Sequence, residues 1–312
     1  SPHPQVSPMW GGTRLRAAAF GVLLVASTVL CEKVGLVDLS RRGDSAAIIA
    51  ALDKGGVDVD ETDVYGWTPL FWAVDMGQID VVRALLARGA DPNKGRNGWN
   101  ALMWAAGGQH ADKVIDIMLT EFKMDANAAT EAGLSALMVA AKTGKIEVVT
   151  KLLDAGANPD AADADGTTAL MQAAGEGRLE VVKELASRGA SLTRASSNGW
   201  TPLVWAAANW QAATVEHILE TVPVAGLRAL DADGHSPLDI AADRGHAPVV
   251  RLLLLKGVGE GMLCSREDVS SALFKAAAKG RTAVVKELLD AGGASASERD
   301  ARGWTPLMHA AA

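Results

Sequence analysis

The side chains that most often carry out chemistry in proteins are sparse in this chain and form no recognised catalytic pattern. None of the six histidines belongs to the His-Glu-x-x-His spacing that binds zinc in metalloproteases. The Gly-x-Ser-x-Gly motif of serine hydrolases and the phosphate-binding Gly-Lys-Ser/Thr loop are also missing from the sequence. Cys31 and Cys264 have no spacing typical of a disulfide framework or a metal site. The sequence therefore predicts a protein that is not an enzyme and uses no metal or cofactor.

Tryptophan is the side chain whose placement indicates a function. The chain has nine tryptophans but only four phenylalanines and one tyrosine. Several of them recur at two positions, one directly after a glycine and one five residues later. These candidate partner-binding residues are Trp67, Trp72, Trp99, Trp104, Trp200, Trp205 and Trp304. Tryptophan is enriched in interface anchors, which favours binding. The alternative is that the rings pack only between neighbouring segments of the chain.

A leucine recurs along the chain at intervals of 32 to 35 residues. Its positions are Leu36, Leu70, Leu102, Leu137, Leu170, Leu203, Leu238, Leu273 and Leu307. From Leu70 onward, an alanine follows three residues after each leucine, and most of the leucines have a glycine four residues before them. A chain of 312 residues exceeds the usual size of one hydrophobic core, and a stack of repeated units solves this problem because each unit packs only on its neighbours.

The residues around each leucine predict a turn followed by a short helix. Two residues before the leucine stands a good N-cap: Thr68, Asn100, Ser135, Thr168, Thr201, Ser236, Ser271 or Thr305. The preceding turn has a glycine with an aspartate three residues before it, a pairing suited to a type I turn. These pairs are Asp63 with Gly66, Asp163 with Gly166, Asp231 with Gly234, and Asp300 with Gly303; Gly199 occupies the same place without the aspartate. We interpret these residues as structural.

Thr-Pro-Leu at 68–70, 201–203 and 305–307, with a period near 33, resembles the ankyrin-repeat signature. The resemblance extends from about residue 32 to residue 312. It implies an all-α solenoid of helix–turn–helix units, joined by protruding β-turn or hairpin loops and curved with a concave face. Trp72, Trp104 and Trp205 lie about 200° around the first helix from the leucine, so we expect them to point toward that concave face.

The repeat pattern also predicts the organisation of the chain. We expect a degenerate N-terminal cap at 32–63, repeats beginning at about residues 64, 97, 132, 165, 198, 233 and 268, and a truncated repeat at 302–312, which indicates a fragment of a longer protein. Gln109 and Trp210 replace the glycine that ends the first helix in other repeats. We therefore expect irregular helix–helix turns there.

Residues 1–31 are predicted to be separate from the repeats. A Pro-rich start is followed by Met9, two arginines and the apolar run Ala17–Leu30, which suits a secretory signal better than a spanning helix. The alternative is a hydrophobic helix that packs on the first repeat. The protein would enter the secretory pathway or be membrane-anchored if this leader is used, and would otherwise be cytoplasmic.

The resemblance implies a protein–protein interaction scaffold that binds its partner on the concave, Trp-bearing surface. The alternative is a substrate-targeting or regulatory region of a larger enzyme or channel. We expect an extended peptide or a helix as the partner rather than a small molecule, and a membrane only if the leader is retained as an anchor. The net charge of −7 argues against nucleic acid, because neutralising phosphates needs clustered Lys and Arg.

Overall fold

The computed structural model describes residues 35–228, 230–256, 263–291 and 294–311, and the predicted leader lies outside them. The described residues form a series of paired α-helices. The first helices of the pairs are α1 (Leu36–Arg42), α3 (Pro69–Asp75), α5 (Ala101–Gly107), α7 (Ala136–Thr143), α9 (Ala169–Gly175), α11 (Pro202–Ala208), α14 (Pro237–Arg244), α16 (Arg266–Ala278) and α18 (Pro306–Ala311). The second helices are α2 (Ser45–Lys54), α4 (Ile79–Ala87), α6 (Ala111–Asp116), α8 (Ile146–Asp154), α10 (Leu179–Ser187), α12 (Ala212–Thr221), α15 (Ala247–Leu255) and α17 (Thr282–Asp290); α13 (Val224–Leu227) is a short insertion after α12.

Each helix packs on its counterpart in the next pair, so the described residues from 35 to 311 form a solenoid. First helices contact first helices from α1 to α18, and second helices contact second helices from α2 to α17. The β-structure of the described ranges consists of isolated bridges, among them Ala129 with Ser135 and Ala162 with Thr168. The all-α repeat fold is confirmed. No helix in the described part of the chain is long and apolar enough to cross a membrane.

The recurrent leucines form the spine of the core. Those from Leu36 to Leu273 are buried, each on the first helix of its pair, whereas Leu307 on α18 is 77% exposed. The second helices add pairs of valines and leucines such as Val148, Val149 and Leu152. Because one pair of short helices cannot enclose its own apolar surface, the burial of each leucine depends on the neighbouring pair.

Seven of the eight predicted cap residues lie directly before the first helices. Thr168 is buried, and its Oγ1 accepts a hydrogen bond from the backbone N–H of Met171 at 3.3 Å. The same bond, from the amide three residues on, is present for Thr68, Asn100, Ser135, Thr201, Ser236 and Thr305. Each cap satisfies one of the amides that a helix start leaves without a partner.

The prediction that Ser271 caps a helix is wrong. Helix α16 begins five residues earlier, at Arg266, and Ser271 lies inside it. Ser265 and Asp268 form a capping box: Ser265 Oγ accepts from the Asp268 amide, and the Asp268 carboxylate accepts from the Ser265 amide. A reciprocal pair of this kind is a stronger start signal than a serine alone.

Four of the loops between repeats are tight turns built on an aspartate side chain. Asp63 Oδ1 accepts hydrogen bonds from the amides of Tyr65 and Trp67, and the Gly66 amide donates to the Asp63 carbonyl. Asp163, Asp231 and Asp300 make the same set of bonds in their turns.

Backbone hydrogen bonds also connect the tips of successive turns. Ala164 donates to Ala132, Ser197 to Asp165, and Ala232 to Asn198, at 2.8 to 2.9 Å. Four turns, at residues 130–133, 163–166, 196–199 and 231–234, are thereby joined into one series.

A second series of hydrogen bonds joins the helix–helix turns at the other end of the first helices. In each case the side chain at the start of a second helix donates to a carbonyl near the end of the preceding repeat's first helix. The pairs are Gln78 with Ser40, Lys145 with Gly108, Arg178 with Lys142, Gln211 with Gly175, His246 with Ala208, and Arg281 with Asp243. These bonds satisfy carbonyls that the helix end would leave unpaired.

Of the two helix–helix turns that were expected to be irregular, the one near Gln109 is so, whereas the one at Trp210 keeps the left-handed residue of the regular turns. In most repeats a glycine such as Gly144 ends the first helix with φ +79°. After α5 the chain instead passes through Gly108 at φ −73°, and α6 continues into a π-helical turn over Ile117–Glu121. A π turn accommodates one inserted residue, which fits the longer interval after Leu102. After α11 a tryptophan, Trp210, occupies the left-handed position with φ +63°.

Candidate partner-binding surface

Four aromatic side chains of the first two complete repeats form one group of rings. Trp67 lies 4.9 Å from Trp104 and 5.1 Å from Phe71, measured between ring centroids. Trp104 in turn lies 5.9 Å from Phe71 and 6.0 Å from Trp99. We call these residues, together with Trp72, the first aromatic cluster. Since Trp67 and Trp104 belong to different repeats, the cluster joins the two repeats.

A groove of about 200 Å³ opens on the first aromatic cluster, lined by Trp67, Phe71, Trp72, Trp104 and Asp75. The Trp72 indole Nε1 donates to Asp63 Oδ2 at 3.3 Å, so the turn aspartate fixes that ring. The tryptophans are half-buried, whereas Phe71 is buried. Aromatic walls with one carboxylate at the edge suit an apolar side chain of a protein ligand.

Trp200 and Trp205 form the second aromatic cluster, with ring centroids 5.4 Å apart in an edge-to-face arrangement. Trp200 packs on the buried side chains of Val204, Ala208 and Ile240, and the Arg244 guanidinium lies 5.8 Å above its ring.

Trp205 packs against the preceding repeat. Its ring lies against Gly175 of the preceding repeat, where an added Cβ would come within 3.1 Å of it. Its buried Nε1 has no hydrogen-bond partner among the described residues. Packing between repeats therefore accounts for much of the Trp205 surface.

The two repeats between the clusters carry no tryptophan at the equivalent positions. Leu134 and Thr167 follow the turn glycines there, and Val139 and Gln172 occupy the helix positions.

Trp304 belongs to neither cluster: it is 39% exposed, and its ring lies 5.3 Å from His309 near the end of the chain. Phe71 belongs to the first aromatic cluster, although the sequence pattern did not predict it as a partner-binding residue. In the sequence it resembles an ordinary core residue beside Leu70.

The ionisable groups of the described residues show no catalytic arrangement. The Cys264 thiol is buried, and burial, followed by the nearby Asp268 and Asp239, raises its pKa to about 12, so it is protonated at neutral pH. A thiol in that state is a poor nucleophile.

Asp231, Asp233 and His235 have potential ligand atoms within 4.8 Å of one another. They are members of one turn, in which Asp231 Oδ1 accepts from the amides of Asp233 and His235. The geometry of the turn therefore accounts for their proximity.

Comparison with known sequences identifies the repeats. A profile described as "Ankyrin repeats (3 copies)" matches residues 39–96, 89–163 and 170–262, and one described as "Ankyrin repeats (many copies)" matches residues 273–312. Together these matches cover most of the chain.

Several curated proteins are similar over part of the repeat region. "Ankyrin repeat, SAM and basic leucine zipper domain-containing protein 1" is 32% identical over 111 residues in Callithrix jacchus and 33% identical over 111 residues in Equus caballus. The Callithrix jacchus match covers 34% of this chain and 23% of the relative. "Transient receptor potential cation channel subfamily A member 1" of Homo sapiens is 36% identical over 99 residues, which are 32% of this chain and 9% of the channel. The aligned segments thus span a quarter or less of these relatives.

Ankyrin repeats generally mediate interactions between proteins and are typically non-enzymatic. The repeat-by-repeat match of the sequence profiles agrees with the helix pairs, the capped first helices and the turn series of the structure. The chain belongs to the ankyrin-repeat family.

Proposed function

We propose that this chain is a non-catalytic scaffold that holds a protein partner on its two aromatic clusters. The groove between Trp67, Phe71, Trp72 and Trp104 supports this proposal, because it offers aromatic surface that the neighbouring repeats leave uncovered. Rigid aromatic side chains are the usual anchors of protein interfaces.

The spacing of the clusters favours an extended peptide or a long helix as the partner. Packed helices lie about 8–10 Å apart, so the three steps from α5 to α11 place the clusters on the order of 30 Å from each other. A small molecule cannot bridge that distance. Trp67, Trp72, Trp99 and Trp104 would form one anchor patch, and Trp200 and Trp205 the other.

A second function is that of a targeting or regulatory region in a larger protein. It is favoured by the relatives, in which the aligned segment is a small part of a longer chain. Sequencing the full-length transcript tests it: an enzymatic or channel domain after Ala312 would support this function.

The scaffold function is tested by selecting peptides from a random phage-displayed library on the full chain and measuring their affinities by fluorescence anisotropy. Trp72→Ala should weaken a selected peptide by about 2 kcal/mol, roughly 30-fold in Kd, as truncation of an anchoring tryptophan does. Its melting temperature should change little, since Trp72 is only half-buried.

Gln172→Ala is the matched control, because Gln172 occupies the same helix position in a repeat without tryptophan. It should leave the affinity unchanged. A large loss of stability in Trp72→Ala, with full affinity retained by the folded fraction, would show that the rings serve only to pack the repeats. Failure to select any peptide would also count against the scaffold function.

A further inference from the structure

A pocket of about 520 Å³ opens where the helix–helix turns of three successive repeats meet. It lies at the opposite end of the first helices from the turn series at 130–234. Its walls include Trp210, His246, Arg244, Asp243, Lys279 and Arg281. The pocket differs from the groove on the first aromatic cluster in being rich in positive charge.

Trp210 is the most unusual residue of this pocket. Six other helix pairs place a glycine at the equivalent position, namely Gly43, Gly77, Gly144, Gly177, Gly245 and Gly280, each with positive φ. Trp210 adopts the same left-handed conformation, with φ +63°, which is strained for a bulky side chain. One face of its indole stacks on His246 at 5.1 Å, yet the residue remains 59% exposed. Strained and exposed residues are concentrated at functional sites, so Trp210 points to a ligand.

The charges around Trp210 leave two arginines without an acidic partner. The Asp243 carboxylate is bound by Lys279 at 2.7 Å. Arg244 donates to the Ala208 carbonyl, and Arg281 donates to the Asp243 carbonyl; neither guanidinium meets a carboxylate in the described part of the chain.

Arg244 and Arg281 also influence the pKa of His246, on which the Trp210 ring stacks. Burial lowers the pKa of His246, and the positive charges of Arg244 and Arg281 lower it further, so the ring is neutral at pH 7. Arg244, Lys279 and Arg281 line the pocket with Asp243 as the acidic residue, so the lining carries positive charge within a chain of net charge −7.

We propose that this pocket binds an acidic segment of a protein partner, with a carboxylate side chain paired to Arg244 and Arg281 and an apolar side chain against the exposed face of Trp210. Guanidinium groups bind carboxylates through strong, charge-assisted hydrogen bonds. Arg244 links the pocket to the second aromatic cluster, because it lines the pocket and its guanidinium lies 5.8 Å from the centre of the Trp200 ring. The inference rests on the proposed scaffold function and specifies the chemistry of the partner.

A peptide fits this pocket better than a nucleic acid does. Two arginines without a carboxylate partner match one or two carboxylates, whereas binding a phosphate backbone requires an extended basic surface. Competition by a single-stranded oligonucleotide separates the two ligand classes.

The probe is a fluorescein-labelled peptide in which glutamate alternates with leucine, titrated with the full chain and followed by anisotropy. A second peptide has glutamine in place of glutamate. The glutamate peptide should bind at least about tenfold more tightly, and its affinity should fall as NaCl is raised, because charged groups at a surface are screened by salt. Trp210→Gly, which restores the residue used by other repeats, should weaken the glutamate peptide about fivefold or more.

Arg281→Glu and Arg178→Glu form a matched pair of variants. Both arginines start a second helix and donate from Nε to a carbonyl of the preceding repeat at 3.3 Å, but only Arg281 lines the pocket. Arg281→Glu should weaken the glutamate peptide about tenfold, and Arg178→Glu should leave it within about twofold.

Three results would overturn the proposal: no binding of the glutamate peptide by the wild-type chain, equal losses in the two arginine variants, or displacement of the peptide by an oligonucleotide at lower concentration. Different outcomes would refute the acidic-peptide pocket and the proposed scaffold function. If a library-selected peptide depends on Trp72 while the glutamate peptide is indifferent to Arg281, only the acidic pocket is wrong. If the glutamate peptide depends on Arg281 while no selected peptide depends on Trp72, the aromatic surface is wrong.

Discussion

At the start of α9, a threonine with a buried hydroxyl stands two positions before a buried leucine. Thr168 satisfies the Met171 amide, and Leu170 is fully enclosed between neighbouring repeats. The two side chains stabilise the repeat by different means, one by a hydrogen bond and the other by removing apolar surface from water.

These roles predict different costs for two nearby substitutions. Thr168→Ala should lower the free energy of unfolding by about 1 kcal/mol, the usual effect of losing an N-cap. Leu170→Ala should lower it by about 2–5 kcal/mol, because it leaves a cavity in a core that cannot fully collapse. Urea denaturation of both variants measures the difference; equal losses would contradict the assignment of the helix start.

Trp210→Gly is predicted to keep or raise stability. A left-handed conformation costs an L-residue roughly 1–2 kcal/mol, and glycine removes that cost. The substitution also removes the stacking on His246, worth about 0.5–1.5 kcal/mol, so the two effects nearly offset each other. A melting temperature several degrees below that of the wild type would show that Trp210 is a packing residue after all.

The cap residues could be predicted from sequence because each is a local feature: a hydroxyl or amide side chain followed by a helical apolar pattern. Ser271 misled the prediction because the capping box at Ser265 competes with it and begins the helix earlier. The role of Phe71 could not be predicted, since its contacts with Trp67 and Trp104 depend on how two repeats pack against each other. For the same reason, the sequence could not predict that Arg244 and Arg281 lie in one pocket without a carboxylate partner.

The turns between repeats are the elements that fix the spacing of the stack. In three successive cases a turn donates a backbone hydrogen bond to the turn before it. Such close approach of two backbones leaves little room for side chains. The space around each turn glycine shows at which turns the backbones come this close. An added Cβ at Gly199 would lie 2.9 Å from the Asp231 Cα, whereas one at Gly234 would meet nothing within 4 Å.

Gly199 and Gly234 therefore make a matched pair. Their φ angles are +80° and +79°, so alanine meets the same conformational strain at both positions, roughly 1–2 kcal/mol. Gly199→Ala should cost about 1–3 kcal/mol more, because the methyl group pushes against the next turn's backbone. Denaturation of both variants gives the difference directly. Equal costs would mean that the turns can separate without loss.

The helix pairs could be predicted from the regular spacing of the leucines. The position at which a longer repeat takes up its extra residue could not. The π-helical turn at Ile117–Glu121 absorbs an extra residue inside a second helix. The sequence predicted an irregular region near Gln109, yet nothing in it showed which element would take up the insertion. That choice depends on the packing of α6 against α4 and α8.

The whole molecule is held together by contacts between neighbouring pairs, so its stability is expected to vary along the chain. Middle repeats have neighbours on both sides, and their recurrent leucines are fully enclosed. At the end of the described chain, α18 packs on α16, while Leu307 and Met308 on its surface are 77% and 47% exposed. In a nearest-neighbour stack, a unit with fewer contacts opens first.

Hydrogen exchange should therefore show a gradient, with the amides of residues 298–311 exchanging much faster than those of α9. Local opening of a terminal unit needs far less free energy than global unfolding, so protection there should be low even under native conditions. Leu307→Ala provides the mutational counterpart: it should cost under about 0.5 kcal/mol, as a surface substitution does. Leu170→Ala, at the same position of a central repeat, removes a buried side chain and should cost several times more. Protection at 298–311 equal to that of α9, or equal costs for the two leucine variants, would mean that the last helix is covered in solution by another surface.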